Sequence, residues 1–492
     1  MHDISELKGH AMRILQTVSL WGCCCFAGLG LAACGGSNGS DGSDGGVGVG
    51  NPSDPGTTPA EQVAYFPAMN GMDGVELWRS DGTEAGTAMV ADINPNGDSD
   101  PREITRFDGR VYFSADDDTG REVWYSDGTA AGTDILFDVN LNGGSDARLL
   151  RVSGDALYFM ANEPTTGYEP YVSDGTPGGT MLLRDIRDGG SSGNGIVIGR
   201  AGGRTIMRAD DGTTGAEPWV TDGTRDGTRL LKDIFVADPD DIAGSDGLVG
   251  VPVTAMLDDI LYFVAQDRDH GAELWRTDGT SEGTRLVADV VPGTDGIGTL
   301  VGMVSRAGDL IYFEVRTSSS RELWVSDGTE AGTELVRDIQ VVGRRSIAFN
   351  GQLFFAGFDG QQTELWKSDG TAAGTVMVSD INPGTSNGSD PAFSGFAVYE
   401  GVLYFAADDG NGNVELWKTD GSEAGTVKVA EINPTGAALP SGLQVIGNGL
   451  LFAADDGVSG CEPWLTDGTE AGTRQVADIN VGAADGVPGC ID

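Results

Sequence analysis

Along most of the chain short apolar runs alternate with clusters of Asp, Gly and Thr, and nowhere in that alternation is there a helical period. Residues 103–139 show the unit. Glu103-Ile104-Thr105-Arg106-Phe107 leads into Asp108-Gly109, and Val111-Tyr112-Phe113-Ser114-Ala115 follows, which predicts two strands joined by a tight turn. Asp116-Asp117-Asp118-Thr119-Gly120 then turns the chain into Glu122-Val123-Trp124-Tyr125, a third strand. After a loop at Ser126 to Thr133, Ile135 to Val139 is a fourth extended run. The second strand is apolar on both faces at Tyr65-Phe66, Tyr112-Phe113, Tyr158-Phe159, Tyr262-Phe263, Tyr312-Phe313, Phe354-Phe355 and Tyr404-Phe405, as a strand sandwiched between two neighbours requires.

The phrase Glu76-Leu77-Trp78-Arg79-Ser80-Asp81-Gly82-Thr83 recurs nine times, with its Asp at Asp81, Asp127, Asp174, Asp222, Asp278, Asp327, Asp369, Asp420 and Asp467. The spacings are 46, 47, 48, 56, 49, 42, 51 and 47 residues, in the range of propellers and solenoids. Four short strands per repeat predict an all-β chain: a single β-propeller of about nine four-stranded blades, with eight blades or a split array as the alternatives.

Trp78, Trp124, Trp219, Trp275, Trp324, Trp366, Trp417 and Trp464 hold one position of the third strand, with Tyr171 in the remaining repeat. A row of exposed aromatics would stack on sugars, but one Trp per blade on a strand reads first as core between blades. The Asp-Gly-Thr-x-x-Gly-Thr loop reads as a turn, with two glycines free to take positive backbone angles and an Asp folding back onto main-chain N–H groups. A metal reading of that Asp is weaker, because the loop lacks the alternating carboxylates of a calcium loop. Glu76, Glu122, Glu169, Glu217, Glu273, Glu322, Glu364, Glu415 and Glu462 lie two residues before the aromatic position, on its side of the strand, and are expected to hydrogen-bond across the blade interface. Pro170, Pro218 and Pro463 interrupt this strand, which suggests a later strand start in those repeats.

The apolar stretch from Ile14 to Ala33, preceded by Met12-Arg13, reads as an export signal, with translation starting at Met12. Its end, Leu31-Ala32-Ala33-Cys34, resembles the lipobox of bacterial lipoproteins. That resemblance implies lipidation at Cys34, a membrane anchor through the N-terminal lipid and a place in the bacterial cell envelope, with Gly35 pointing to the outer membrane. Residues 34–60, rich in Gly, Ser and Asp, have little to bury and read as a flexible tether between the signal (1–33) and the propeller (61–492). The nine-fold phrase itself resembles the bacterial ELWxxDGT repeat proteins, secreted or surface chains sometimes labelled hyalin-like. The resemblance covers most of the chain and implies a surface protein, but no particular chemistry.

With Cys23, Cys24 and Cys25 in the signal and Cys34 committed to lipid, Cys461 and Cys490 remain as an even pair in an oxidising compartment. They read as a disulfide, with two free thiols as the alternative. The first repeat lacks an inner strand, and Cys490-Ile491 falls level with the start of one, so the C-terminus is expected to complete the first blade and close the ring.

Asp and Glu number 75 against 30 Lys and Arg, a formal charge of -45, which makes nucleic acid a poor partner. Strand order puts the Asp-Gly-Thr loops on one propeller face. Connectors and second-to-third-strand hairpins share the other, where Asp116, Asp117, Asp118, Asp408, Asp409, Asp455 and Asp456 are the candidate metal ligands for calcium, against a reading as solvated turn residues. His270 is the one His beyond the signal region, so a multi-His zinc site is excluded, and no catalytic residues are assigned. The sequence thus points to a monomeric, non-enzymatic binding or adhesion module for an extracellular glycan or protein, calcium-assisted if the acidic loops bind it. A carbohydrate-active enzyme using carboxylates of the acidic face is the alternative, with the third and fourth repeats and the insertion from Phe235 to Asp259 as the place to look.

Overall fold

A computed structural model describes residues 62–490 except 237–245, 249, 251, 294–296, 298–302, 317–319 and 384–394. The chain divides into two units, Met1–Leu31 and Ala32–Asp492, and the first lies wholly outside the described residues, as do Cys34 and the tether.

Nine antiparallel sheets follow one another along the chain, each built from consecutive strands. In the second blade these are Arg102–Phe107, Arg110–Asp116, Arg121–Ser126 and Thr133–Phe137. Eight sheets have four strands and the first has three. The first strands of consecutive four-stranded sheets touch in series, from Arg102–Phe107 to Ser441–Ile446, and Ala64–Met69 of the first sheet touches both ends of that series. The result is a closed ring, a nine-bladed β-propeller.

The core lies between blades. Each of nine apolar clusters joins residues of two successive blades, the last and first included. Trp219 packs with Leu183 and Ile186 of the preceding blade, and Trp78 packs with Ile446 and Leu465 of the last. Within a blade the Trp sits opposite the second-strand aromatic, as in Phe113↔Trp124 and Phe405↔Trp417. The recurring Trp is therefore packed between blades, buried at Trp219, Trp275 and Trp366 and half-buried at the others, rather than set in an exposed stacking row.

The third strands of the Pro-bearing repeats do not start late. Pro170, Pro218 and Pro463 lie inside Gly167–Ser173, Ala216–Thr221 and Cys461–Thr466. Their backbone faces the fourth strand, since Leu183, Leu231 and Val476 N–H groups donate to the three Pro carbonyls. In these blades the fourth strand has two residues, so no partner there needs the missing N–H.

The ring closes without a fourth strand in the first blade. Cys490 lies outside any strand, and Ile491 is outside the described residues. The C-terminal segment instead docks as other described connectors do: Met69 N–H donates to the Gly486 carbonyl at 2.7 Å, as Asp116 N–H does to Ser99 at 2.8 Å. Backbone groups alternate along a strand, so those of Tyr65 and Pro67 face the place an inner strand would take. Pro67 has no N–H to offer, Gln444 Nε2 donates to the Tyr65 carbonyl at 3.3 Å, and Arg106 caps the Val63 carbonyl. The edge is thus blunted by a proline and side chains from both neighbouring blades. Cys461 and Cys490 form a disulfide with Cα atoms 5.6 Å apart, tying the last blade to the docked segment.

Candidate functional site

In each Asp-Gly-Thr-x-x-Gly-Thr loop the same bonds recur. Asp222 Oδ1 accepts from Thr224 N at 3.0 Å and Thr224 Oγ1 at 2.7 Å, Thr224 Oγ1 accepts from Gly227 N at 3.0 Å, and Thr228 Oγ1 donates to the Thr224 carbonyl at 2.7 Å. These bonds hold the Asp carboxyl below its ordinary value, with the Thr224 hydroxyl the largest cause. Only the first glycine needs a positive angle, with φ +86° at Gly223. The second is required for space, because a Cβ at Gly227 would stand 1.9 Å from Asp222 Oδ1. The loop is filled by its own hydrogen bonds.

The recurring Glu reaches the connector of its own repeat rather than the neighbouring sheet. Glu217 accepts from Ile234 N at 3.0 Å, Phe235 N at 3.2 Å and Gly247 N at 3.0 Å, and Glu76 accepts from Ile93, Asn94 and Ser99 in the same way. The connector then docks on the next blade, so the clamp acts on the interface indirectly. Burial pushes these carboxyls up, to about 7 at Glu122, Glu169, Glu273, Glu415 and Glu462 and about 8 at Glu217, against the pull of the N–H donors. Glu322 departs from the pattern: its blade runs from Glu334–Asp338 almost directly into Gln340–Phe349, leaving no connector to clamp, and it accepts from Ser320 and the Trp324 indole instead.

Cations bridge successive blades from the third round to the first, a pattern that repeat-by-repeat reading misses. Lys232, Arg337 and Arg474 of fourth-strand segments, and Arg276, Lys367 and Lys418 of third strands, each donate to a loop carbonyl of the next blade at 2.7–2.9 Å. Arg184 does the same to Thr228. Arg474 reaches Gly82 and so bridges the last blade to the first.

On the opposite face the candidate metal ligands are distributed over the second, eighth and ninth blades and accept hydrogen bonds mainly within their own hairpins. Asp116, Asp408 and Asp455 each accept a backbone N–H two residues on, and Asp117, Asp409 and Asp456 do likewise one step later. Asp118 accepts from Asn96 Nδ2, and Asp409 also pairs with Lys428. Among the described residues no group of three His, Cys, Asp or Glu side chains is placed to hold a metal ion. His270 pairs with Asp267 at 2.9 Å, and that bond raises its imidazole above the ordinary value.

Another departure lies in the third repeat. Between the connector of the third blade and the hairpin of the fourth, a recess of about 420 Å³ is lined by Arg184, Asp185, Arg187, Asp188, Asp211 and Trp219, among others. In four repeats the residue aligned with Arg187 is an Asn whose amide ties the connector to itself: Asn94 to Asp98, Asn140 to Gly144, Asn433 to Ala437 and Asn480 to Asp485. Arg187 instead crosses to Asp210 of the fourth blade at 3.0 Å, while Glu169 holds the connector through the N–H groups of Ile186, Arg187 and Gly193.

No protein-family model matches the chain, and no curated protein matches it. Similar solved structures include a prolyl endopeptidase (13% identity, TM-score 0.40, covering 66% of this chain and 48% of that chain) and a puromycin hydrolase (13%, 0.35, 72% and 55%). The β-propeller domain of the Trilobed protease from Pyrococcus furiosus is another, at 12% identity and TM-score 0.34, with 68% of this chain and 97% of that chain covered. The chain spans about half the length of the first two. These likenesses extend to the propeller fold and no further.

Proposed function

We propose that the protein is a cell-surface binding module, a propeller held at the bacterial envelope through lipid on Cys34 and presenting its connector face to an extracellular glycan or protein. The observation that carries this reading is how differently the two kinds of residue are used. The recurring Trp, Glu, Asp and Thr are engaged in packing and turn bonds, whereas the connector face carries a charged recess where the third and fourth blades meet. The resemblances of the signal region and of the repeats to surface proteins support it from the sequence side. A glycan array and a matrix-protein array probed with the purified chain, with and without calcium, test it. Binding on either array is the expected result, and blank arrays under both conditions would overturn the proposal.

A further inference from the structure

Resting on that binding reading, we infer that the connector face at the seam, over the ninth and first blades, is a docking surface for a basic protein that brings Lys and Arg around an apolar contact. Among the described large apolar side chains the four most exposed are Val481, Leu141, Met72 and Val458, at 72–85%. Three of the four lie together. Met72 and Val458 stand in the hairpins before the third strands of the first and ninth blades, and Val481 stands in the ninth connector.

Close approaches make these loops one surface. A Cβ at Gly457 would stand 2.7 Å from Asn433 Oδ1 of the eighth connector, and one at Gly460 would stand 2.8 Å from the Ala484 carbonyl of the ninth. The next hairpin repeats the arrangement: a Cβ at Gly71 would stand 2.7 Å from Asn480 Oδ1, and one at Gly74 would clash with the Gly97 carbonyl of the first connector. Each hairpin is wedged between two connectors, so the row runs unbroken across the seam. The Cys461–Cys490 disulfide ties the end of the ninth connector to the blade beneath it, which leaves less to be ordered on binding.

Charge selects the occupant. The five segments of the row, residues 433–435, 455–460, 478–488, 70–74 and 92–98, carry seven Asp and no Glu, Lys, Arg or aromatic residue. The cations at its two ends are engaged outside it: Lys428 pairs with Asp409 and Glu431, and Arg102 and Arg121 pair with Asp100. Exposed aliphatic tips set among carboxylates fit a partner whose surface is cationic around an apolar centre. A second copy of this chain, at a formal charge of -45, would bring more acid, and a sugar would find no aromatic ring to stack on.

The test is an array of purified matrix proteins spanning acidic to basic, run beside the glycan array, followed by calorimetry with the protein captured most strongly. Three variants are compared with the parent chain: Met72→Ser, Val458→Ser and Val481→Ser combined; Asp92→Lys and Asp478→Lys combined; and Asp269→Lys on the hairpin of the fifth blade as a control. Capture is expected to favour basic proteins and to weaken as salt is raised. The serine and the double-lysine variants should each weaken binding by about tenfold or more, and Asp269→Lys by less than about twofold. All the replaced side chains are exposed, so an unchanged melting temperature separates loss of the patch from loss of the fold. Protein binding equal in every variant would overturn the assignment to the seam and leave the binding module standing. Equal capture of acidic and basic proteins, capture of glycans alone, or a dimer of the chain that the serine variant dissolves would each overturn the basic partner. Blank arrays of both kinds would remove the binding reading with it.

Discussion

At Gly227 a methyl group would stand 1.9 Å from a carboxylate oxygen that the loop already uses, whereas at Gly178 a Cβ would meet nothing within 4 Å. Gly227→Ala is therefore expected to cost about 1–3 kcal/mol in thermal denaturation, as overpacking typically does. Gly178→Ala, on an open surface, should change stability by less than about 0.5 kcal/mol. The same logic separates the two kinds of Glu. Glu217→Gln replaces one acceptor of three buried N–H bonds by a donor and should cost about 1–3 kcal/mol. Glu322→Gln, half-buried with no connector to clamp, should cost about 0.5 kcal/mol or less.

At the scale of the element, the unit that matters is third strand plus connector. Five clamp carboxyls sit at about 7 and Glu217 at about 8, from an ordinary value of 4.5, because burial disfavours the anion. A raised acid stabilises the fold fully below its unfolded value, and that contribution is lost as pH rises through the folded one. The loop aspartates act in the opposite sense: held below 3.8, they contribute above that value and cease to as pH falls beneath it. The melting temperature should accordingly rise from pH 8 to about pH 5 and fall again below about pH 4, followed by circular dichroism at constant ionic strength.

The strands were legible from sequence because each apolar run and each Asp-Gly turn is local. The clamp was legible only in part: spacing put Glu76 beside Trp78, but its partners lie 17 to 23 residues on, in a connector with no pattern of its own. The cation bridges were hidden because they start from two different repeat positions, Lys418 in a third strand and Arg474 in a fourth-strand segment. The recess was hidden more deeply. It depends on Arg187 where five other repeats carry Asn, and on a contact between two blades that no local pattern encodes.

At the scale of the whole molecule, a ring of nine interfaces is as strong as its seam. There the last and first blades share an apolar cluster, the Arg474 bridge, the Met69–Gly486 bond and the disulfide. A disulfide spanning 29 residues is worth about 3.6 kcal/mol in the chain-entropy account. Reduction should therefore speed amide exchange in Ala64–Met69 and Cys461–Thr466 before it does so in blades remote from the seam. Equal exchange everywhere would show that the seam closes without the bridge. For the tether, Cys34→Ser is expected to abolish incorporation of a labelled fatty acid and release the protein from the membrane fraction.

The central claim is that the nine-fold phrase builds the scaffold while one local site on the connector face does the binding. Calorimetric stoichiometry with a ligand drawn from either array reads that claim directly. The account predicts about one ligand per chain, and a value near nine, one per repeat, would contradict it.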